Sequence, residues 1–176
     1  MTTLAYPSAD FPGPPAVALE VPDGWEPAHA PGTTMAARLP RSDAFAPNVV
    51  VTVEPCAPDH RLEDSLELVR ARAASRGGGV SQPYAAELGD ARFVGCDASW
   101  PDEDVETVLQ ANLFHVVTPT PGVAGAGGAA GAAGAVGAHL VQLTGAVGGP
   151  TAEQDYELIR AVLTTARVTP WTGGDA

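Results

Sequence analysis

The chain has 176 residues, about the length of one domain built around one hydrophobic core. Hydrophobic residues make up 45% of it and charged residues 17%, a composition that excludes a wholly disordered protein. Nine Arg, no Lys and 21 Asp plus Glu give a net charge of −12, a field that repels phosphates and argues against nucleic acid or an anionic membrane as a partner.

The start, MTTLAYPSADFPGPPA, carries neither a basic n-region nor an apolar h-region, so no secretory signal is read there and a cytoplasmic location is expected. Residues 1–15 are Pro-rich without periodicity and read as a flexible arm. From Ala16 the pattern changes. Val17, Leu19 and Val21 alternate with Ala18 and Glu20, and Pro22-Asp23-Gly24 supplies a turn, so a half-buried strand is expected, followed by Trp25 as an anchor on the core edge. Thr33 to Leu39 reads as a second strand closed by Pro40.

The segment NVVVTVEP is the clearest strand, with Val49, Val51 and Val53 on one face and Val50 and Thr52 on the other. Apolar residues on both faces place it inside a sheet. Asp59 offers an N-cap, and Leu62, Leu66, Val69 and Ala73 recur at helical spacing before Gly77-Gly78-Gly79, which predicts an amphipathic helix over about 60–76. Four strands follow, Val80–Leu88, Ala91–Trp100, Val105–Val117 and His139–Val147. The short links Gly89-Asp90 and Pro101 to Asp104 predict antiparallel hairpins, hence a meander. Thr151-Ala152-Glu153-Gln154 reads as a capping box, and Tyr156, Ile159, Val162, Leu163 and Ala166 form the apolar stripe of a helix over 152–167. Residues 169–176 form a polar tail apart from Trp171.

Between the last two strands lies Gly122 to Gly137, GVAGAGGAAGAAGAVG. Gly125, Gly127 and Ala130 fit a relaxed G-x-G-x-x-A, but a dinucleotide loop needs its glycines to leave a strand directly and open a helix. Thr118 to Pro121 intervene, and each glycine would cost a helix roughly 1 kcal/mol relative to alanine. The absence of Lys excludes a Walker loop. The stretch therefore reads as a low-complexity hairpin insertion at 119–138, which loop entropy tolerates at only about 0.6 kcal/mol per doubling of length.

Three features in order, the VPDGW turn, FAPNVVVTVE from Phe45 to Glu54 and the helix sequence LEDSLELVRAR, resemble the LpqN-like family of actinobacterial proteins, a branch of the PsbP-like fold. The resemblance covers roughly Val17 to Val168. It implies an antiparallel sheet covered by helices and a non-catalytic binding role, as in other proteins of that fold, which include a Ran-binding protein, photosystem assembly factors and chaperones for secreted toxins. It brings no catalytic residues to carry over.

Signals for chemistry are sparse. Cys56, His60, His115 and His139 lack the paired spacings of a zinc site, and the histidines read as separate groups. Cys56 and Cys96 read as free, small buried hydrophobes. No G-x-S-x-G is present, and Ser99 has no base beside it in sequence. Asp102, Glu103 and Asp104, with Glu106, form an acidic rim at a hairpin turn, and together with Trp25 and Trp100 they are the candidate partner contacts.

The expectation is an α+β fold, an antiparallel β-sheet of about six or seven strands covered by two main α-helices, as a single domain over 16–168. The expected function is non-enzymatic, with no cofactor and no metal: an adaptor or chaperone-like domain that binds another protein, linked to its secretion or assembly, without membrane insertion and with a homo-oligomer open. Two alternatives stand beside it. One is a small-molecule binder or weak hydrolase with a pocket between sheet and helix, using the carboxylates or His115. The other is a subunit of a larger assembly.

Overall fold

The computed structural model describes residues 13–42, 45–118 and 138–172. The Pro-rich arm up to residue 12, the Gly/Ala-rich insertion at 119–137 and the last four residues lie outside the described residues.

The fold grows from its longest strands. β7 (Ala91–Asp102), β8 (Glu106–Val117) and β9 (Ala138–Gly148) pair antiparallel, joined at one end by the tight turn after Asp102. β4 (Asn48–Cys56) pairs along the far side of β9 with Val51 opposite Leu143. Alternation then sorts the side chains. Val49, Val51, Ala111, Leu113, Val141, Leu143 and Val147 share one face, and Cys96, Ala98, Trp100, Val108 and Phe114 share the other. Both faces are apolar, so both need cover.

α2 (Ala152–Thr164) covers the first face with Ile159, Val162 and Leu163, all nearly inaccessible. Each such side chain contributes roughly 2 kcal/mol on burial, more than any partly exposed ion pair nearby. The helix can approach because β9 carries Gly145 beneath it: a Cβ there would lie 2.8 Å from Ile159 Cδ1. α1 (Leu62–Ser75) covers the opposite face with Leu66, Val69 and Ala73. The protein is therefore an α+β fold in which an antiparallel sheet is covered by two helices, one on each side.

The remaining strands extend this centre. β3 (Met35–Arg38) pairs with β4, and β2 (Glu26–Ala28) forms the edge beyond it, its Pro27 tolerated because an edge strand has unpaired positions. β5 (Gly79–Val80) and β6 (Tyr84–Leu88) share the outer side of β7, which completes an eight-stranded sheet of order β2-β3-β4-β9-β8-β7-β5 with β6 on β7. β1 (Ala16–Ala18) does not join this sheet; it pairs with β10 (Arg167–Thr169) in a separate two-stranded ribbon. In the VPDGW turn Trp25 N–H donates to Pro22 O at 3.3 Å with Gly24 at φ 90°, which sends Trp25 into the core on the α2 side.

Local expectations shift in four places. The strand expected over Val80–Leu88 breaks into β5 and β6, because Pro83 has no N–H to continue a ladder. Arg167, expected to end the last helix, and Thr169, expected to begin the polar tail, instead bound β10, which pairs with β1. α1 starts at Leu62 after Arg61, two residues beyond Asp59, with no side-chain cap. At α2 no capping box forms: Thr151 Oγ1 donates to Asp155 Oδ2 at 2.7 Å, because Asp155 is the buried group that needs a donor. Arg41 completes its coordination at 2.7 Å and ties the β3–β4 loop to α2. Among the described residues no helix is long and apolar enough to cross a membrane.

Arg41→Ala leaves the Asp155 carboxylate, only 8% exposed, with Thr151 alone. Because the arginine itself is partly solvated, the expected loss is about 2 kcal/mol, below that of a fully buried pair. Urea unfolding of Arg41→Ala and of Asp155→Asn checks this, and a loss under about 0.5 kcal/mol would deny the pair its role.

Candidate functional site

The residues expected as partner contacts do not form one surface. Trp25 packs in the core beneath α2, whereas Trp100 packs in the core beneath α1 with the Arg76 guanidinium 4.8 Å above its ring. Both indoles are nearly buried, at 8% and 6% exposure. Asp102, Glu103 and Asp104 sit at the β7–β8 turn, where Asp102 Oδ1 accepts from the backbone of Asp104 and Val105 at 3.1 and 3.3 Å. Asp102 thus builds the turn, as aspartate does in Asx turns. Glu106 closes it at φ 63°, where Thr107 N–H reaches Val105 O at 2.7 Å, the one non-glycine residue of positive φ among the described residues.

The histidines and cysteines are dispersed. His60 Nε2 contacts Ser65 Oγ at 2.9 Å, and His115 Nδ1 lies 2.9 Å from Arg92 O with its ring against Phe93. Burial pushes the His139 imidazole below its ordinary pKa. Cys56 and Cys96 are free thiols, both pushed up by burial. Among the described residues no three His, Cys, Asp or Glu side chains gather to hold a metal.

A different set converges. Asp97 projects from the middle of β7 toward α2, and Tyr84 Oη donates to its Oδ1 at 2.8 Å. Arg160 of α2 brings its guanidinium to 3.8 Å from Asp97 Oδ2, over the Tyr84 and Tyr156 rings at 5.7 and 6.0 Å from their centroids. The Tyr156 hydroxyl is buried beside the same carboxylate. Both phenols are held above their ordinary pKa, by burial first and then by the adjacent carboxylate. Beside the cluster opens a cleft of about 450 Å³, lined by Gly79, Val80 and Ser81 of the outer edge, Asp97, Ala98 and Ser99 of β7, Leu109 of β8, and Tyr156 of α2. A cleft of this size, mostly apolar with a few polar groups, suits a small ligand or one inserted side chain.

Sequence reasoning missed this set. Tyr156 and Arg160 stand one helical turn apart and Asp97 interrupts an apolar strand, which is a signal, but Tyr84 meets Asp97 only through the antiparallel pairing of β6 with β7.

An α+β domain with helices on both sides of an antiparallel sheet and a cleft at its edge is the class defined here. Among solved structures the chain is similar to LpqN of Mycobacterium tuberculosis, a protein involved in cell envelope biogenesis, with TM-score 0.65 and 16% identity over 90% of this chain and 86% of that one. It is also similar to a protein of Bacteroides thetaiotaomicron VPI-5482, with TM-score 0.50 and 9% identity over 91% of this chain and 47% of that one, so it spans about half of that protein. The chain has an LpqN-like fold. No family model matches it, and no curated protein matches it.

Two predictions follow from this geometry. Glu106→Gly removes a left-handed side chain and is expected to stabilise the fold by about 0.5–1 kcal/mol, read as a raised urea midpoint; a lowered midpoint would refute it. The second concerns alkaline pH. With the folded phenols held above their ordinary pKa of 10, the unfolded chain ionises first, so stability is full below pH 10 and falls as pH rises above it. A Tyr84→Phe, Tyr156→Phe chain should lose less stability between pH 9 and 11 than the parent, and equal losses would count against the cluster.

Proposed function

We propose that the chain is a non-enzymatic binding domain that takes hold of another protein, adaptor- or chaperone-like, and that the cleft between the β5–β7 edge and α2 is its recognition site. The observation that carries this reading is the cleft itself, with the Asp97 carboxylate on its wall and no nucleophile–base pair in it. Catalysis would need groups held at different protonation demands around a reacting centre, whereas the phenols here are both kept neutral and Tyr84 donates to the Asp97 carboxylate. The likeness to LpqN, which is involved in cell envelope biogenesis, supports a partner that is itself being exported or assembled, as an argument from fold alone.

A second reading, a small-molecule binder, is favoured by the cleft volume of about 450 Å³, within the range of ligand pockets. Site-specific photo-crosslinking separates the two. A crosslinking residue at Ser99, in the cleft, is expected to give a discrete protein adduct in the native cells, and one at Glu26, on the opposite sheet edge, is not. Adducts from Glu26 alone would move the site elsewhere. No protein adduct, with a small molecule retained in native mass spectra, would establish the second reading.

A further inference from the structure

We propose that the cleft receives the ε-ammonium of a lysine from the partner protein, with Asp97 as its counter-charge; this rests on the cleft being the recognition site. Among the cleft-lining side chains Asp97 carries the one formal charge. Its Oδ1 is engaged by Tyr84 at 2.8 Å, while Oδ2 has Arg160 at 3.8 Å, the outer limit of an ion pair, from a guanidinium side chain 46% exposed, with the Tyr156 hydroxyl beside the same carboxylate. A carboxylate has about four lone-pair sites, so acceptor capacity remains open on Oδ2. The site already stabilises positive charge, because Arg160 rests over the Tyr84 and Tyr156 rings.

Three features select the chemistry. The net charge of −12 favours a cation and opposes an anion at this wall. Leu109 and the Tyr156 ring, on Asp97's side of the sheet, offer apolar surface for an aliphatic stem, and the exposed Ser99 hydroxyl stands on the same face as a further acceptor. A guanidinium needs two parallel free oxygens for its planar fork, and Tyr84 already holds one of the two; a compact ammonium needs one oxygen and a hydroxyl.

The test uses the full chain with N-acetyl-lysine N-methylamide as probe and its norleucine counterpart, the same four-carbon stem without the ammonium, followed by amide NMR shifts. The lysine amide is expected to shift Gly79 to Ser81 and Asp97 to Ser99, and the norleucine amide to bind roughly tenfold more weakly or worse, the worth of one charge-assisted hydrogen bond. Asp97→Asn keeps an acceptor for Tyr84 and should lose lysine binding by a similar factor. Ser99→Lys, at an exposed position, should abolish it by placing a resident ammonium in the cleft. Glu103→Gln with Asp104→Asn, at the β7–β8 turn, should leave it unchanged. Equal binding of norleucine, retention in Asp97→Asn with a native spectrum, or shifts confined to the acidic turn would each overturn the proposal. If protein crosslinking at Ser99 persists in Asp97→Asn, the lysine inference fails and the protein-binding reading stands; if the lysine amide binds but no protein crosslinks at Ser99, the protein-binding reading fails and the partner lysine falls with it.

Discussion

A sheet that is apolar on both faces has to be covered on both faces, and most of this structure is a response to that constraint. Phe93, Leu143 and Val141 point one way from the central strands, and Cys96, Trp100 and Phe114 the other. α2 and the β1–β10 ribbon close one side and α1 closes the other. Neither helix can be removed without exposing a continuous apolar surface, and at the edge where β5 and β6 share β7 the surface is open. The cleft lies there.

Polar groups drawn into this frame are mostly answered. Asp155 has Arg41 and Thr151, and Ser65 has His60. Asn112 is the exception in the sheet. It is fully buried on the α1 side, opposite Thr144, and its Oδ1 and the Oε1 of Gln110 have no protein partner. Thr52, Gln142 and Thr144 continue a polar band across β9 and β4 on this face, beyond the reach of α1, which packs on β5, β7 and β8. The α1 face is therefore half core and half polar, whereas the α2 face is apolar throughout its centre.

Asp97 shows how the same frame produces a recognition group. Its position on β7 belongs to the α2 face, where its neighbours along the strand are Phe93 and Gly95. A carboxylate among them is tolerable because Tyr84 and Arg160 converge on it and one side of it faces the cleft. At 16% identity the likeness to LpqN is carried by the pattern of strands and helices, so the cleft chemistry is argued from these residues themselves.

Much of the architecture was legible in the chain, because period-2 and period-3.6 patterns are local. NVVVTVEP announced β4, the short links announced the β6-to-β8 hairpins, and the stripe from Tyr156 to Ala166 announced α2. Local patterns also mark which residues share a strand face. They do not say which helix will lie on which face, nor that β1 will leave the main sheet for β10, since those outcomes depend on contacts between residues far apart in the chain. The cluster of Tyr84, Asp97, Tyr156 and Arg160 was illegible for the same reason: it joins three elements through strand register and helix docking, and the free energy that assembles it comes from apolar burial around it rather than from any motif within it.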